Sequence, residues 1–375
     1  MSGRATLGCL ALLLSSCPAR KAPPPGTPEF HGEGGLSVYR NDDDLTVISP
    51  WVNATQVVSG PVSVTAGWTA DVISAATVDL VSQATRPFRD TRKEGHVGVQ
   101  VDLSEVRAGA TYYLSVEHDT ISHTASASGD VDLLSRNLTL GLSYGFSAIR
   151  FGTAFEPRAL WTSRWIHQVD ASATQLLGPA TLASATYTFQ YTNGDLASAY
   201  RMVPLFPTSE TLWTRPNAQW VYERHPERRF RHAISVTGRH ALGDRVFLNA
   251  GYRGYLDSWA MRSNAGELGV GFDLGRGFVV EASDRFHWQS SVSFYRSAYT
   301  VNREYITADR RLAKLMTNIA ALSLRPRTEQ TEWLIRGELH WTRYPDHQIL
   351  LGDDLVDTPD VWGFVGQVGF GLDVP

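Results

Sequence analysis

Ionisable side chains recur along this sequence at alternate positions of long runs whose other positions are mostly apolar. The set consists of Asp71, Asp102, Glu117, Asp119, Asp170, Arg239, Arg253, Glu281, Arg285, Arg336, Glu338 and His340. On a β-strand, alternate positions point to one face, so these groups would line a common polar surface. A surface of one sign would indicate a selectivity ladder for ions. The mixed signs favour a wall of paired charges that stabilises neighbouring strands, with a selectivity role as the alternative.

Motifs for metal binding and catalysis are weak. The nearest histidine groupings are His118 with Asp119, His123, His232 with His240, and His340 with His347, and none has the helical i,i+4 spacing of zinc hydrolases. No cysteine follows Cys17, and no G-x-S-x-G stretch occurs. His167, beside Trp165, is typical of an interfacial polar residue rather than a catalytic base. The sequence therefore predicts no metal site, no cofactor and no enzyme activity.

The elements that would position the charged residues are long alternating strands. Trp333 and Trp341 are eight residues apart on one face, which is about 26 Å along a strand at ~3.3 Å per residue. With a tilt of ~40°, this distance spans roughly 20 Å, close to the apolar band of a membrane barrel with its two aromatic girdles. A soluble β-sandwich also alternates, but strands of about 10–14 residues exceed the usual ~5–6. We therefore favour a membrane barrel.

The predicted fold is all-β, an antiparallel up-and-down transmembrane barrel of about 16 strands. The strands are predicted at residues 33–41, 45–58, 62–71, 95–104, 109–119, 121–133, 137–149, 164–176, 180–192, 230–241, 245–257, 261–274, 277–289, 312–325, 331–344 and 360–374. Fourteen is the alternative, because the first strand, the sixth strand and the strand at 312–325 alternate poorly. Tight turns, including one at Arg107-Ala108-Gly109, mark one end, and longer loops mark the other, as in bacterial outer-membrane barrels.

Two long segments between strands are candidates for a constriction. The first, residues 71–92, contains Asp71, Ser74, Asp79 and Arg92 together with apolar residues that it could bury. Structureless loops longer than ~12–15 residues are usually functional or disordered. We therefore predict that this segment lies inside or across the barrel mouth, with its aspartates paired to lumen arginines such as Arg253 or Arg285.

The second segment, residues 193–229, ends in a dense group of charges that includes Glu223, Arg224 and His225. A solvated loop tip is one interpretation of this group. The alternatives are an inward constriction and an external ligand site.

The N-terminal residues indicate export. Arg4 precedes an apolar stretch that ends in Leu14-Ser15-Ser16-Cys17, so residues 1–17 read as a signal peptide with a lipobox-like end. Cys17 is the candidate for lipidation, and ordinary cleavage near Ala19 or Ala22 is the alternative. Residues 18–32, rich in Pro and Gly, read as a periplasmic tether, and residues 33–375 read as the barrel. A net charge of -4 argues against a nucleic-acid partner.

Three stretches carry a resemblance to a known family. The first runs from Asp71 to Asp79, continues at Ala84-Thr85-Arg86-Pro87-Phe88 and reaches Arg92. The second is Glu223-Arg224-His225-Pro226 with Arg229 and Arg231-His232-Ala233. The third is Tyr252-Arg253-Gly254-Tyr255 with Asp257 and Trp259. Together they resemble, in order across roughly residues 60–375, an outer-membrane family called domain of unknown function 3570. Ala75 and Asp90 depart from that family's usual Gly and Glu. The resemblance implies a barrel and carries no established activity.

The sequence thus predicts a monomeric barrel in the outer membrane of a Gram-negative bacterium, surrounded by outer-membrane lipid. Passage or binding of a small solute is the first functional hypothesis, with the solute unspecified. A non-conducting barrel that anchors or assembles a periplasmic partner is the second, and an outer-membrane hydrolase is the third.

Overall fold

The alternating strands close into a single antiparallel barrel in the computed structural model, which describes residues 30–75, 88–153, 156–206, 217–351 and 354–374. The predicted signal peptide, the lipidation candidate Cys17 and the candidate Asp79 lie outside these residues. Successive strands pair with their neighbours, and the last strand pairs with the first from Phe30↔Val374 to Asn41↔Gly363. The up-and-down barrel of sixteen strands is therefore confirmed, and the alternative of fourteen is wrong.

The barrel strands are β1 (Phe30–Asn41), β2 (Thr46–Ser59), β3 (Val62–Ala75), β4 (Phe88–Asp102), β5 (Val106–Val116), β6 (Thr120–Leu133), β7 (Leu138–Phe151), β8 (Thr162–Gly178), β9 (Thr181–Gly194), β12 (Arg228–Ala241), β13 (Val246–Asp257), β14 (Arg262–Gly275), β15 (Phe278–Gln289), β16 (Leu315–Pro326), β17 (Thr331–Arg343) and β20 (Val361–Val374). Two small hairpins lie in the loops, β10 (Met202–Leu205) with β11 (Gln219–Tyr222) and β18 (Gln348–Leu351) with β19 (Asp354–Asp357). In the described ranges, no helix is both long and apolar enough to cross a membrane.

Several strand boundaries differ from the prediction, and the largest difference is at β4. β1 begins three residues early, at Phe30. β4 begins at Phe88, seven residues before the predicted start, because the charged stretch that precedes Gly95 conceals the alternation while its backbone still pairs with β3 as far as Ala75↔Phe88. The turn after β4 lies at residues 103–105, where Ser104 has a φ of 77°, and not at Arg107–Gly109, which belong to β5.

The two faces of the wall differ sharply in polarity. One face exposes large apolar side chains, among them Trp68, Leu142, Trp333, Leu339 and Phe364. The other face carries the predicted charges together with hydroxyl and amide side chains. Because a membrane barrel is apolar outside and polar inside, we assign the first face to the exterior and the second to the lumen.

Both clusters of buried apolar side chains lie in the loops rather than in the wall. One cluster contains Val203, Tyr299 and Ile306, and a second contains Trp259, Met261 and Val292. Both clusters lie at the end of the barrel that carries the long loops, which we call the loop end. The opposite end, closed by short connections such as residues 60–61 and 276–277, is the turn end.

Candidate functional site: the lumen and its loop cap

Most of the predicted lumen charges pair with neighbours on the wall. Arg285 on β15 contacts Glu267 on β14 at 2.8 Å from its Nε. Glu338 accepts from Arg336 at 2.6 Å and lies 2.7 Å from His340. These contacts fit the wall of paired charges that the alternation predicts. Arg253 occupies an inward position of β13, between Ser235 and Ala265 on the adjacent strands.

Asp71 and Arg92 form a local group near the loop end. Asp71 is buried, accepts from Ser49 Oγ at 2.6 Å and lies 3.4 Å from Arg92 Nε. The predicted pairing of Asp71 with Arg253 or Arg285 is wrong, because the strands continue and place Arg92 directly opposite Asp71. For the same reason residues 71–75 and 88–92 form barrel wall, not a loop across the mouth. Ser74 is paired with Arg89 in this wall, and residues 76–87 lie outside the described part of the chain.

Two other loops do fold across the mouth. We call the described parts of residues 195–227 and 290–314 the loop cap. Its second loop leaves the wall between β15 and β16. Asp309 and Arg311 of this loop nevertheless line a cavity of about 100 Å³ together with Thr120 of β6 and Phe151 of β7. In the closed strand order these strands lie on nearly opposite sides of the barrel. The loop cap therefore spans the opening.

Backbone pairing joins the two loops of the cap. Arg224 N donates to Ile306 O at 3.1 Å, and Ile306 N donates to Arg224 O at 2.9 Å. Leu205 and Tyr299 form a second bridge, and Ile306 and Tyr299 pack with Val203 in a buried cluster. Arg310 then holds the cap to the wall through Asp43, at 2.6 Å, in the connection between β1 and β2. Packing and hydrogen bonding together give the cap a core of its own.

Glu223 and His225, predicted in a group of charges, lie inside the cap. Their side chains are 0% and 5% exposed. Glu223 Oε1 accepts from Thr307 Oγ1 at 2.7 Å, and His225 Nδ1, 3.0 Å from Leu196 O, must donate to that carbonyl. Glu223 Oε2 and His225 Nε2 face each other at 3.6 Å, and neither makes a hydrogen bond to the described residues. The interpretation of this group as a solvated loop tip therefore does not hold for these two residues.

Burial perturbs the titration of this pair in opposite directions. Loss of solvent raises the pKa of Glu223 to about 7, although Arg201 opposes the shift. Loss of solvent lowers the pKa of His225 to about 4, against the hydrogen bond to Leu196. Burial alone would also raise the pKa of Asp309, but Arg201 and Arg311 hold it well below its usual range. A neutral histidine thus faces a carboxyl group that changes charge near neutrality.

Arg224, the third predicted member of the charged group, points away from this pair. Its Nε donates to Glu304 O at 3.1 Å, and its Nη2 contacts Asn302 and the Arg303 carbonyl. It therefore links the two loops of the cap at their exposed side.

A buried ion pair at the loop end of the wall lies directly beneath the cap. Arg229 Nε donates to Asp257 Oδ2 at 2.7 Å, and the guanidinium lies 4.1 Å from the centre of the Trp259 ring. Asp257 Oδ1 accepts from the backbone N of Trp259 at 2.9 Å and of Met261 at 3.0 Å. Trp259 in turn contacts His225, with ring centres 5.2 Å apart. The second and third motif stretches of the sequence therefore meet here.

Sequence reasoning missed the residues that complete the cap's polar centre. Arg201 and Asp309 form an ion pair, and Thr307 is fully buried beneath Glu223. No alternation or motif marks these three positions, since they lie in loops and meet across about a hundred residues of sequence.

The predicted histidine groupings are of two kinds. His118 Nδ1 lies 2.8 Å from Asp90 Oδ1, and its Nε2 lies 4.0 Å from Asp119 Oδ2, so the structure brings together three side chains of metal-binding type, which the sequence did not predict as a site. His167 points outward and its Nδ1 lies 2.8 Å from the Tyr144 hydroxyl. Tyr112 with His123 and Tyr187 with His232 repeat this outward pairing on neighbouring hairpins. This repetition favours an interfacial girdle over a catalytic base.

The fold is shared with outer-membrane proteins of very different sequence. A bacterial polysaccharide outer membrane secretin matches with a TM-score of 0.51 and 10% identity, over 93% of this chain and 98% of that one. The siderophore receptor PirA from Pseudomonas aeruginosa matches with a TM-score of 0.50 and 8% identity, over 92% of this chain and 62% of the receptor. The chain thus spans less than two thirds of that receptor's length. At these identities the likeness shows the fold alone, which is that of an outer-membrane barrel.

Sequence comparison identifies the family to which the chain belongs. A search of curated proteins finds no match. A family model described as "Protein of unknown function (DUF3570)" matches residues 151–342, just over half of the chain. This range contains the Arg229, Asp257 and Trp259 contacts at the base of the cap, whereas the stretch around Asp71 precedes it. The chain belongs to the family of proteins of unknown function DUF3570.

Proposed function

We propose that this protein lies in the outer membrane of a Gram-negative bacterium and passes a small polar solute through a lumen whose outer mouth the loop cap covers. The observation that carries the proposal is a polar lumen beneath a cap with its own buried core. An open porin needs no such core in its loops. A cap with a core of its own can open while the barrel stays closed, which is the requirement for gated passage.

The proposed location rests on the exterior face. Large apolar side chains cover it, and aromatic pairs such as Trp333 with Phe370, whose ring centres are 4.7 Å apart, lie toward one end. Such an apolar band with aromatic girdles matches the thickness of an outer membrane. We expect the chain to fractionate with outer membranes and to migrate faster in gels before heating than after. Recovery of a folded, detergent-free soluble monomer would rule out the location.

A second function, that of a non-conducting anchor for a periplasmic partner, is favoured by one observation. The cap in this structure crosses the whole mouth, from the β15–β16 side to residues of β6 and β7. Conductance in planar bilayers separates the two proposals. Passage predicts discrete current steps that become more frequent when the cap is weakened. An anchor predicts no current even when the cap is removed from the mouth.

A further inference from the structure

The lumen wall is divided into two chemically different sectors. On β12 to β15 the inward positions carry Arg231, Arg239, Arg253 and Arg285, with Glu267 and Glu281 among them. Halfway along β6 to β9 the inward positions are mostly Ser, Thr and Gln, with Asp170 as the charged residue among them, whereas Asp130, Asp132 and Arg164 lie nearer the strand ends. A solute halfway along the lumen therefore meets charge on one side and mostly uncharged hydroxyl and amide groups on the other.

The uncharged sector contains a recess of about 240 Å³. Its base is Gly145, which pairs with Ser126 on one side and Gln168 on the other. A Cβ on Gly145 would meet nothing closer than Ser126 Cβ at 4.0 Å, so the missing side chain creates the space. Drug-sized ligand pockets are larger, at ~300–1,000 Å³. The recess therefore suits a solute with a single ring.

The polar groups around the recess are held in fixed positions by each other. Asp170 accepts from Thr188 at 2.6 Å and from Gln168 at 2.8 Å. Gln168 Oε1 accepts from Gln190 at 3.0 Å, and Gln190 accepts from Arg231. A chain of hydrogen bonds thus runs from the arginine sector to Asp170. Such networks orient amides and hydroxyls before a ligand arrives, which lowers the entropic cost of binding.

An aromatic side chain borders the same recess. Tyr113 lies in the lining, paired with Thr124, whose hydroxyl is 2.8 Å from that of Ser147. Hydroxyl groups both donate and accept, so they match the hydroxyls of a polyol, while a tyrosine ring offers an apolar face to the C–H groups of a sugar.

We propose that this recess is a binding site for a neutral sugar ring. The inference rests on the proposed function, because it names the class of solute for which the lumen is built. Hydroxyl and amide partners on four strands, one hydrogen-bonded carboxylate and one aromatic face favour an uncharged polyol over an ion, whose partners would lie in the arginine sector.

Binding to the refolded full chain in detergent, followed by saturation-transfer NMR, tests the proposal. The probes are D-glucose, D-glucosamine and D-glucuronate, which share a ring and differ in charge. Gly145→Leu places a side chain in the recess from a position whose Cβ would meet no close contact. Gly251→Leu is the matched control, since Gly251 is a mid-strand inward glycine in the arginine sector whose Cβ would also meet only ordinary contacts. Heat-modifiable mobility verifies that both variants fold.

We expect glucose to bind the native chain. The affinity for glucose should fall by at least about tenfold in Gly145→Leu and change by less than about twofold in Gly251→Leu. The proposal is overturned if glucose does not bind, if Gly145→Leu binds it as the native chain does, or if only glucosamine or only glucuronate binds. Potassium chloride conductance of the same samples tests passage separately. Conduction without recess-dependent glucose binding would leave passage standing and remove the sugar site. Recess-dependent glucose binding without conduction would support the sugar site and rule out passage.

Discussion

Substitution of Asp257 by asparagine is expected to loosen the loop cap, because it leaves Arg229 uncompensated beneath the cap, while the barrel itself stays folded. Asp257 is the charge partner of the buried Arg229, and it also holds the backbone of Trp259 and Met261. Removing one member of a buried ion pair leaves the other charge uncompensated, at a cost of about 3–5 kcal/mol. Opening of the cap should therefore become at least roughly 100-fold more favourable.

Hydrogen exchange of residues 217–227 and 258–261 measures this opening. Glu267→Gln is the matched control, because it breaks a similar arginine–carboxylate pair with Arg285 in the water-filled lumen, where the two side chains are 31% and 33% exposed. Exposed pairs contribute under about 1 kcal/mol. Equal exchange in the two variants would show that Asp257 does not stabilise the cap.

The second large effect concerns pH and the pair formed by Glu223 and His225. The pKa of Glu223 rises from 4.5 to about 7 when the cap closes, so its contribution to cap stability is complete below pH 4.5 and is lost as the pH rises through about 7. The pKa of His225 falls from 6.5 to about 4, so its contribution is complete above pH 6.5 and is lost as the pH falls through about 4. The two contributions change with pH in opposite directions, so their effects on cap stability cancel between pH 4.5 and 6.5.

We therefore expect the stability of the native cap to be nearly independent of pH in that window. Each single variant should show the pH dependence of the one titrating group that remains. His225→Gln should lose roughly 3 kcal/mol of cap stability as the pH rises from 4.5 to 7, and Glu223→Gln should gain roughly 3 kcal/mol from pH 4 to 6.5. Exchange of residues 217–227, corrected for the intrinsic pH dependence of exchange, gives both curves. Parallel curves for the two variants would mean that the pair does not titrate on opening.

The barrel could be predicted from sequence because its physics is local and periodic. Each strand shows its own apolar face, so even β1, β6 and β16, whose alternation is poor, are placed by their neighbours and by the turns around them. The first part of β4 does not show in the sequence pattern, because the stretch Asp90 to Glu94 has charged residues at both odd and even positions.

The cap could not be predicted in this way. Its contacts, such as Arg224 with Ile306 and Glu223 with Thr307, join residues about eighty positions apart in loops that have no period. The composition of residues 223–229 indicates solvent exposure. Burial of Glu223 depends on Thr307 in the other loop, and burial of His225 depends on the Leu196 carbonyl, 29 positions earlier in its own loop. The recess at Gly145 could not be predicted for a different reason, since a glycine in an alternating strand does not by itself indicate a binding site.

A redox-controlled conductance measurement tests the central claim, that the loop cap closes a conducting lumen. Arg224 and Ile306 exchange both backbone hydrogen bonds, so their Cα atoms lie ~5.5 Å apart, within the range that a disulfide can bridge. The variant Arg224→Cys with Ile306→Cys would link the two loops when oxidised. When reduced it would lack the Ile306 side chain that fills the cluster with Val203 and Tyr299. No cysteine follows Cys17 to compete for the link, and mass spectrometry verifies it.

In planar bilayers, we expect the oxidised variant to conduct as little as the native chain, and the reduced variant to show a several-fold higher open probability because its cap is loosened by about 1–3 kcal/mol. Ile306→Cys alone should conduct like the reduced variant, and its conductance should not depend on the redox state. Equal conductance of the linked and unlinked forms, with the disulfide verified, would contradict the claim that this cap gates the lumen.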